Sequence, residues 1–197
     1  MSLDHLWAGW RTEYVTSVPS AAEVGADGTG PGGSAGRGDA AEGAPSGEVH
    51  PLDHPERCVF CRLSASGPPS VDNGVLWRGE HTFAVLNAYP YASGHLMVMP
   101  TRHVQAMADL TDDEGSELWA ALRSSVAALE AGYGPEGVNI GANLGRAAGA
   151  GIPRHLHLHA VPRWVGDTNF MTTIAGVRVL PETLSDSWDR LDRAWPT

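Results

Sequence analysis

Residues 154–162 read Arg-His-Leu-His-Leu-His-Ala-Val-Pro, and no other stretch constrains the fold so tightly. Histidine at i, i+2 and i+4 with leucine between follows the two-residue period of a β-strand. His155, His157 and His159 then share one face, and Leu156 and Leu158 the other. The leucine face asks for a core. A half-buried strand has no packing use for repeated imidazoles, yet three of the chain's nine histidines fall here. That face is a candidate site, because a neutral imidazole near pH 7 can attack an electrophile or carry a proton. A solvated strand face and a histidine-rich metal tract are the competing readings.

Charge bounds what such a site can hold. The 197 residues contain 13 Lys and Arg against 23 Asp and Glu, a net charge of −10. This length suits one domain with appendages. The acidic balance argues against nucleic acid or an anionic membrane as a partner, since either would need a clustered basic surface. An anionic substrate must instead meet local donors. No run approaches the roughly 20 apolar residues of a membrane-spanning helix, and no cationic stretch followed by a long apolar one opens the chain. A cytoplasmic protein is expected. The two cysteines, Cys58 and Cys61, lie in Cys-Val-Phe-Cys. In a reducing compartment this spacing suggests a metal clip or a redox pair rather than a structural disulfide.

Periodicity divides the chain into three parts. In residues 1–16, Leu3, Trp7, Trp10 and Tyr14 fall at helical spacing and predict a short amphipathic helix. Packing on the domain or on a second subunit explains that stripe; approach of Trp7, Trp10 or Arg11 to a nucleotide is the alternative. Residues 17–56 are rich in Gly, Ala, Ser, Pro and acidic side chains, cannot bury enough surface to order themselves, and predict a flexible linker. His50 and His54 lie at its end and receive no role.

Residues 57–197 carry the folded domain. Strands are predicted at Val75–Arg78, Thr82–Asn87, His95–Met99, Val138–Asn143 and His155–Pro162. A long helix is predicted from a capping box of Thr111 and Glu114, with Leu118, Leu122, Val126 and Leu129 as its buried stripe and Gly132 closing it. Pro181 opens a last helix bearing Leu184, Trp188, Leu191 and Trp195. The expected class is α+β, a mostly antiparallel five-stranded sheet with one long helix and a C-terminal helix.

The 155–162 run is joined by Leu86-Asn87-Ala88-Tyr89-Pro90-Tyr91, by Ser93-Gly94-His95-Leu96-Met97-Val98-Met99-Pro100 and by Asn139-Ile140-Gly141-Ala142-Asn143-Leu144-Gly145. Together they resemble the histidine triad (HIT) family of nucleotide hydrolases and transferases, from about Cys58 to Ile174. Pro162-Arg163-Trp164 and Asn169-Phe170 make the chain most similar to the diadenosine tetraphosphate phosphorylases of that family.

The resemblance implies a HIT-like fold and assigns the nucleophile to His157, which would form a nucleotidyl-histidine at the α-phosphorus. It implies His159 and His95 as donors to the phosphoryl oxygens, with Gly94 preceding His95. Backbone N–H groups of the Gly149-Ala150-Gly151-Ile152 loop would assist them. Asn87 matches a ribose-binding position, Asn143 one that contacts phosphate or braces the site, and Trp164 would shield, stack or pack at the edge. Many relatives have Gln and then Ser or Thr where this chain has Gly151 and Ile152, so two polar side chains are missing. Zinc-binding relatives pair two Cys with two His, which implies Cys58, Cys61, His103 and His155 as a structural zinc site.

The implied activity is phosphorolysis of diadenosine tetraphosphate to ADP and ATP, with inorganic phosphate or water as acceptor, no organic cofactor, and a homodimer by analogy. Hydrolysis of nucleoside phosphoramidates or adenylated adducts, and a non-catalytic nucleotide-binding module, are the alternatives.

Overall fold

The computed structural model describes residues 55–167 and 181–196. The amphipathic segment 1–16, linker residues 17–54 with His50 and His54, and Asn169-Phe170 lie outside the described residues. Five strands are present: β1 (Val75–Arg78), β2 (Thr82–Leu86), β3 (Leu96–Pro100), β4 (Gly137–Gly141) and β5 (Leu158–Arg163). They form one sheet in the order β1-β2-β3-β5-β4, every neighbouring pair antiparallel. Among the described residues three α-helices accompany it: α1 (Val59–Ser64), α2 (Asp112–Tyr133) and α3 (Leu184–Ala194). The expected α+β architecture is the one found.

β2 and β3 are buried at every position because both sheet faces are covered. On one face Ala84, Leu86, Leu96, Val98, Leu156, Leu158 and Ala160 pack with Leu118, Leu122 and Leu129 of α2 and Leu191 of α3. On the other Phe83, Val85, Met97 and Met99 meet Cys58 and Phe60 at α1. The leucines between the histidines therefore serve the α2 core, and the histidines lie toward α1, with Phe60 against both His155 and His157. Gly79 gives the β1–β2 turn its tie to α2. A Cβ there would sit 1.5 Å from Glu117 Oε1, and that carboxylate accepts from the His81 backbone N–H (2.9 Å) and the Thr82 hydroxyl (3.2 Å).

Element ends differ from expectation where backbone bonding outweighs local signals. The capping box of Thr111 and Glu114 opens α2 as read, but the helix runs through Gly132 to Tyr133. It ends at Gly134, whose φ of 55° is the left-handed conformation that stops a helix. Ser125 is fully buried where Val126 is only half-buried, its hydroxyl donating to the Ala121 carbonyl at 2.9 Å. Thr183, not Pro181, caps α3 by accepting from the Asp186 N–H. Trp195 ends that helix and stacks on Trp77. β5 begins at Leu158 rather than His155, because the Leu156 N–H donates to the Val104 carbonyl (2.6 Å) and draws the preceding residues off the ladder. Asn87 and His95 fall just beyond β2 and β3, joined by an N–H···O bond of 2.9 Å. No helix among the described residues is long and apolar enough to cross a membrane.

Arg102 grips the Glu114 carboxylate through Nε (2.8 Å) and Nη2 (2.7 Å). That ion pair, with the Thr111 backbone N–H, holds the carboxyl down at about 2, against an ordinary 4.5. A depressed carboxyl stabilises the fold above its unfolded value and ceases to do so as pH falls through its folded one. Urea midpoints should therefore show wild type losing stability between about pH 4.5 and 2 relative to Glu114→Gln. Parallel acid limbs for the two proteins would contradict this assignment.

Candidate active site

His157 is buried, and its Nδ1 donates to the His155 carbonyl oxygen at 2.8 Å. That bond places the proton of the neutral ring on Nδ1 and leaves the lone pair on Nε2. Burial pushes the imidazole below its ordinary range, the carbonyl contact pulling the other way, so the ring is neutral at pH 7.

A second chain of bonds fixes the neighbouring rings. The Tyr91 backbone N–H donates to His95 Nδ1 at 3.0 Å, and the Asn87 side-chain N–H2 approaches the same atom at 3.3 Å. Neutral His95 must then carry its proton on Nε2, which donates to His159 Nδ1 at 2.9 Å. In neutral His159 the proton is therefore on Nε2. The Asn87 carbonyl oxygen accepts from the Tyr89 N–H at 2.9 Å, which orients its amide. His95 has no exposed surface, and the Tyr91 ring lies 4.5 Å from it.

His157 and His159 open on a cavity of about 340 Å³ whose walls include Phe60, Asn87, Tyr91, Asn143, Arg146, Gly149, Gly151 and Ile152. Its apolar side is supplied by Val59, Phe60 and Leu63 of α1 with Leu86 and Met97. The volume is at the lower end of small-molecule sites. The structure thus gathers Asn87, Asn143, Gly149, Gly151, Ile152, His157 and His159 around one space. Three expected residues lie elsewhere. His95 stands behind His159. Gly94 has φ +80°, and a Cβ there would fall 2.6 Å from the Tyr133 ring, so its constraint is packing. Trp164 contacts Tyr133 edge-on, with ring centroids 6.3 Å apart, and lines a different cavity. Phe60, Tyr91 and Arg146 are wall residues that the sequence did not single out; a cation beside a Gly-Ala run in so acidic a chain was the one available signal.

Cys58, Cys61, His103 and His155 bring their ligand atoms within 4.8 Å of one another. His155 Nε2 donates to the Pro100 carbonyl at 2.8 Å, which leaves the Nδ1 lone pair toward the two sulfurs at 3.4 and 3.6 Å. His103 Nδ1 is 3.3 Å from the Cys61 sulfur. Thiolate and imidazole around a tetrahedral ion with bonds near 2.3 and 2.0 Å stand about 3.5 Å apart. The four residues are thus compatible with a metal site. Burial holds His155 down at about 4, so it is a neutral donor. Burial, with Cys58 beside it, pushes the Cys61 thiol up to about 12, so a metal would have to displace its proton.

An antiparallel five-stranded sheet with a histidine cluster on one face, set between a long helix and a two-Cys, two-His knot, defines an α+β fold with a histidine-lined cavity. The HIT domain family matches residues 69–165. A HIT-like protein of Methanocaldococcus jannaschii is 33% identical over 110 residues, 56% of this chain and 81% of that one. The AP-4-A phosphorylase of Mycobacterium tuberculosis is 46% identical over 121 residues, 61% of this chain and 62% of that protein's length. The fold superposes on a Zn-bound histidine triad family protein from Mycobacterium smegmatis with a TM-score of 0.58. That pair is 27% identical, covering 72% of this chain and 94% of the other. The chain belongs to the HIT family.

The hydrogen bonds commit each ring to one tautomer. Imidazole 15N NMR at pH 7 should show His157 protonated on Nδ1 and His95 on Nε2. The reverse pattern at either residue would contradict the network.

Proposed function

We propose that the chain is a nucleotidyl transferase or hydrolase that splits diadenosine tetraphosphate through an adenylyl group carried on His157. The observation that carries this is the neutral His157 ring, held by its Nδ1 proton on a carbonyl with Nε2 free beside the cavity. Support for the substrate comes from the 46% identity to the Mycobacterium tuberculosis AP-4-A phosphorylase.

Nε2 of His157 attacks the α-phosphorus of one adenosine half. The phosphoanhydride bond breaks and its electron pair leaves with ATP. Phosphate then attacks the phosphohistidine in line, giving ADP and restoring the imidazole. His159 Nε2–H donates to a non-bridging oxygen, its tautomer set through His95 by the Tyr91 N–H. The Gly149 and Ala150 N–H groups already donate to the Arg146 and Gly145 carbonyls, so the backbone N–H groups of Gly151 and Ile152 add the donors that their side chains cannot supply. Asn87 holds ribose while its amide also orients His95, Asn143 holds phosphate, and the apolar wall of Val59, Phe60 and Leu63 receives the base.

In this reading Cys58, Cys61, His103 and His155 would hold zinc, which would supply a structural clamp and take no part in the reaction. Its ligands tie α1 to residue 155, two positions from the nucleophile. A reduced cytoplasmic setting suits the thiols, and a two-fold homodimer follows the family analogy.

His157→Ala should lower turnover of diadenosine tetraphosphate by at least about 10³-fold with the fold intact. Wild type should give ADP and ATP with phosphate present, and AMP and ATP without it. Full activity in the variant would reject the reading, and preferential cleavage of an adenosine phosphoramidate would favour the second activity. Purified protein should carry about one zinc per chain, and Cys61→Ser should release it while lowering thermal stability. A preparation equally stable after chelation would remove the clamp.

A further inference from the structure

Among the described residues the cavity beside His157 has a single arginine or lysine on its walls, Arg146. Among the described residues its guanidinium makes no hydrogen bond or ion pair. Four other arginines are committed: Arg78 to the Leu63 and Ser64 carbonyls, Arg102 to Glu114, Arg163 to Asp167 and Arg190 to Glu182. The backbone beneath Arg146 is fixed. It opens a 3-10 turn, Arg146–Ala148, closed by Gly149 N–H to Arg146 O (2.9 Å) and Ala150 N–H to Gly145 O (3.2 Å). Gly145 and Gly149 adopt φ of 81° and 86°, which L side chains rarely reach. A long cationic side chain is thus held at one point on the cavity rim.

The remainder of that rim, Gly149, Ala150, Gly151 and Ile152, offers no polar side chain. The chain's net −10 gives no diffuse positive field. A leaving polyphosphate is multiply anionic and gains charge as its bond to the α-phosphorus breaks. An amine or a phenol leaving group brings no such phosphates. A guanidinium fork matches phosphate oxygens and acts most strongly where that charge develops.

We propose that Arg146 determines leaving-group specificity, its guanidinium meeting the phosphates beyond the one that His157 attacks. This rests on the nucleotidyl-transfer reading above and deepens it: the preferred substrates are those whose departing half is a polyphosphate. Arg146 is a specificity residue that takes over where the side chains at 151 and 152 are apolar or absent.

The test compares diadenosine tetraphosphate with adenosine 5′-phosphoramidate, which share the adenylyl group and differ in the departing half. Arg146→Ala should lower kcat/KM for the tetraphosphate by about 10- to 100-fold and cut its ratio over the phosphoramidate by a similar factor. Arg146→Lys should recover part of the ratio. Calorimetry gives a readout apart from turnover: the preference for ATP over AMP should fall by about 10-fold in Arg146→Ala. A ratio within about twofold of wild type overturns the proposal, as does an equal loss on both substrates, which would place Arg146 on the shared α-phosphate. If wild type processes neither substrate and binds neither nucleotide, the underlying reading fails, and this one with it. Because Arg146 is exposed, a urea midpoint matching wild type should accompany each variant.

Discussion

The 2.8 Å bond from His157 Nδ1 to the His155 carbonyl is short-range in sequence, but it aims the His157 ring only as well as residue 155 is held. That residue is gripped from several sides. Its Nε2 is on the Pro100 carbonyl at the end of β3, its Nδ1 faces two sulfurs at the start of α1, and the Phe60 ring meets it edge-on. A carbonyl so anchored turns a rotatable imidazole into a preorganised group with one tautomer, as the proposed pair of in-line displacements would require.

α1 links the metal-ligand knot to the cavity. Six residues are too few for a helix to be stable alone in water, so Val59–Ser64 depends on its tethers. Cys58 and Cys61 bracket the two residues, Val59 and Phe60, that form part of the cavity's apolar wall, and Phe60 also lies 5.0 Å from the His157 ring. One short segment therefore carries two candidate metal donors, cavity wall and a packing partner of His157. Whatever loosens the four-residue knot should loosen all three. The opposite sheet face, with its leucines under α2 and α3, keeps β5 in place regardless.

Much of this was legible in the sequence because it depends on local periodicity. Alternation in 155–159 separates histidine and leucine faces, and Thr111 with Glu114 announces the start of α2 through contacts three residues apart. What was misplaced depends on partners distant in the chain. β5 starts late because Leu156 bonds Val104, and α2 passes Gly132 because the left-handed turn falls at Gly134. Gly94 looked like a site glycine but makes room for Tyr133, and Trp164 packs on that same ring. Phe60 read as a spacer between cysteines, since its meeting with His157 spans 97 positions. The Tyr91 donor is a backbone N–H, which leaves no trace in residue identity. The resemblance supplied the four-ligand set that spacing alone left as either clip or redox pair.

The proposed mechanism requires an uncharged ring at 157 to hold an adenylyl group between two displacements. Its most direct measurement is mass spectrometry of protein acid-sparingly quenched during turnover of diadenosine tetraphosphate without added phosphate, followed by peptide mapping. The expected result is a fraction of chains heavier by one adenylyl group, located on His157. Steady turnover with no adduct, or an adduct on another residue, would contradict it.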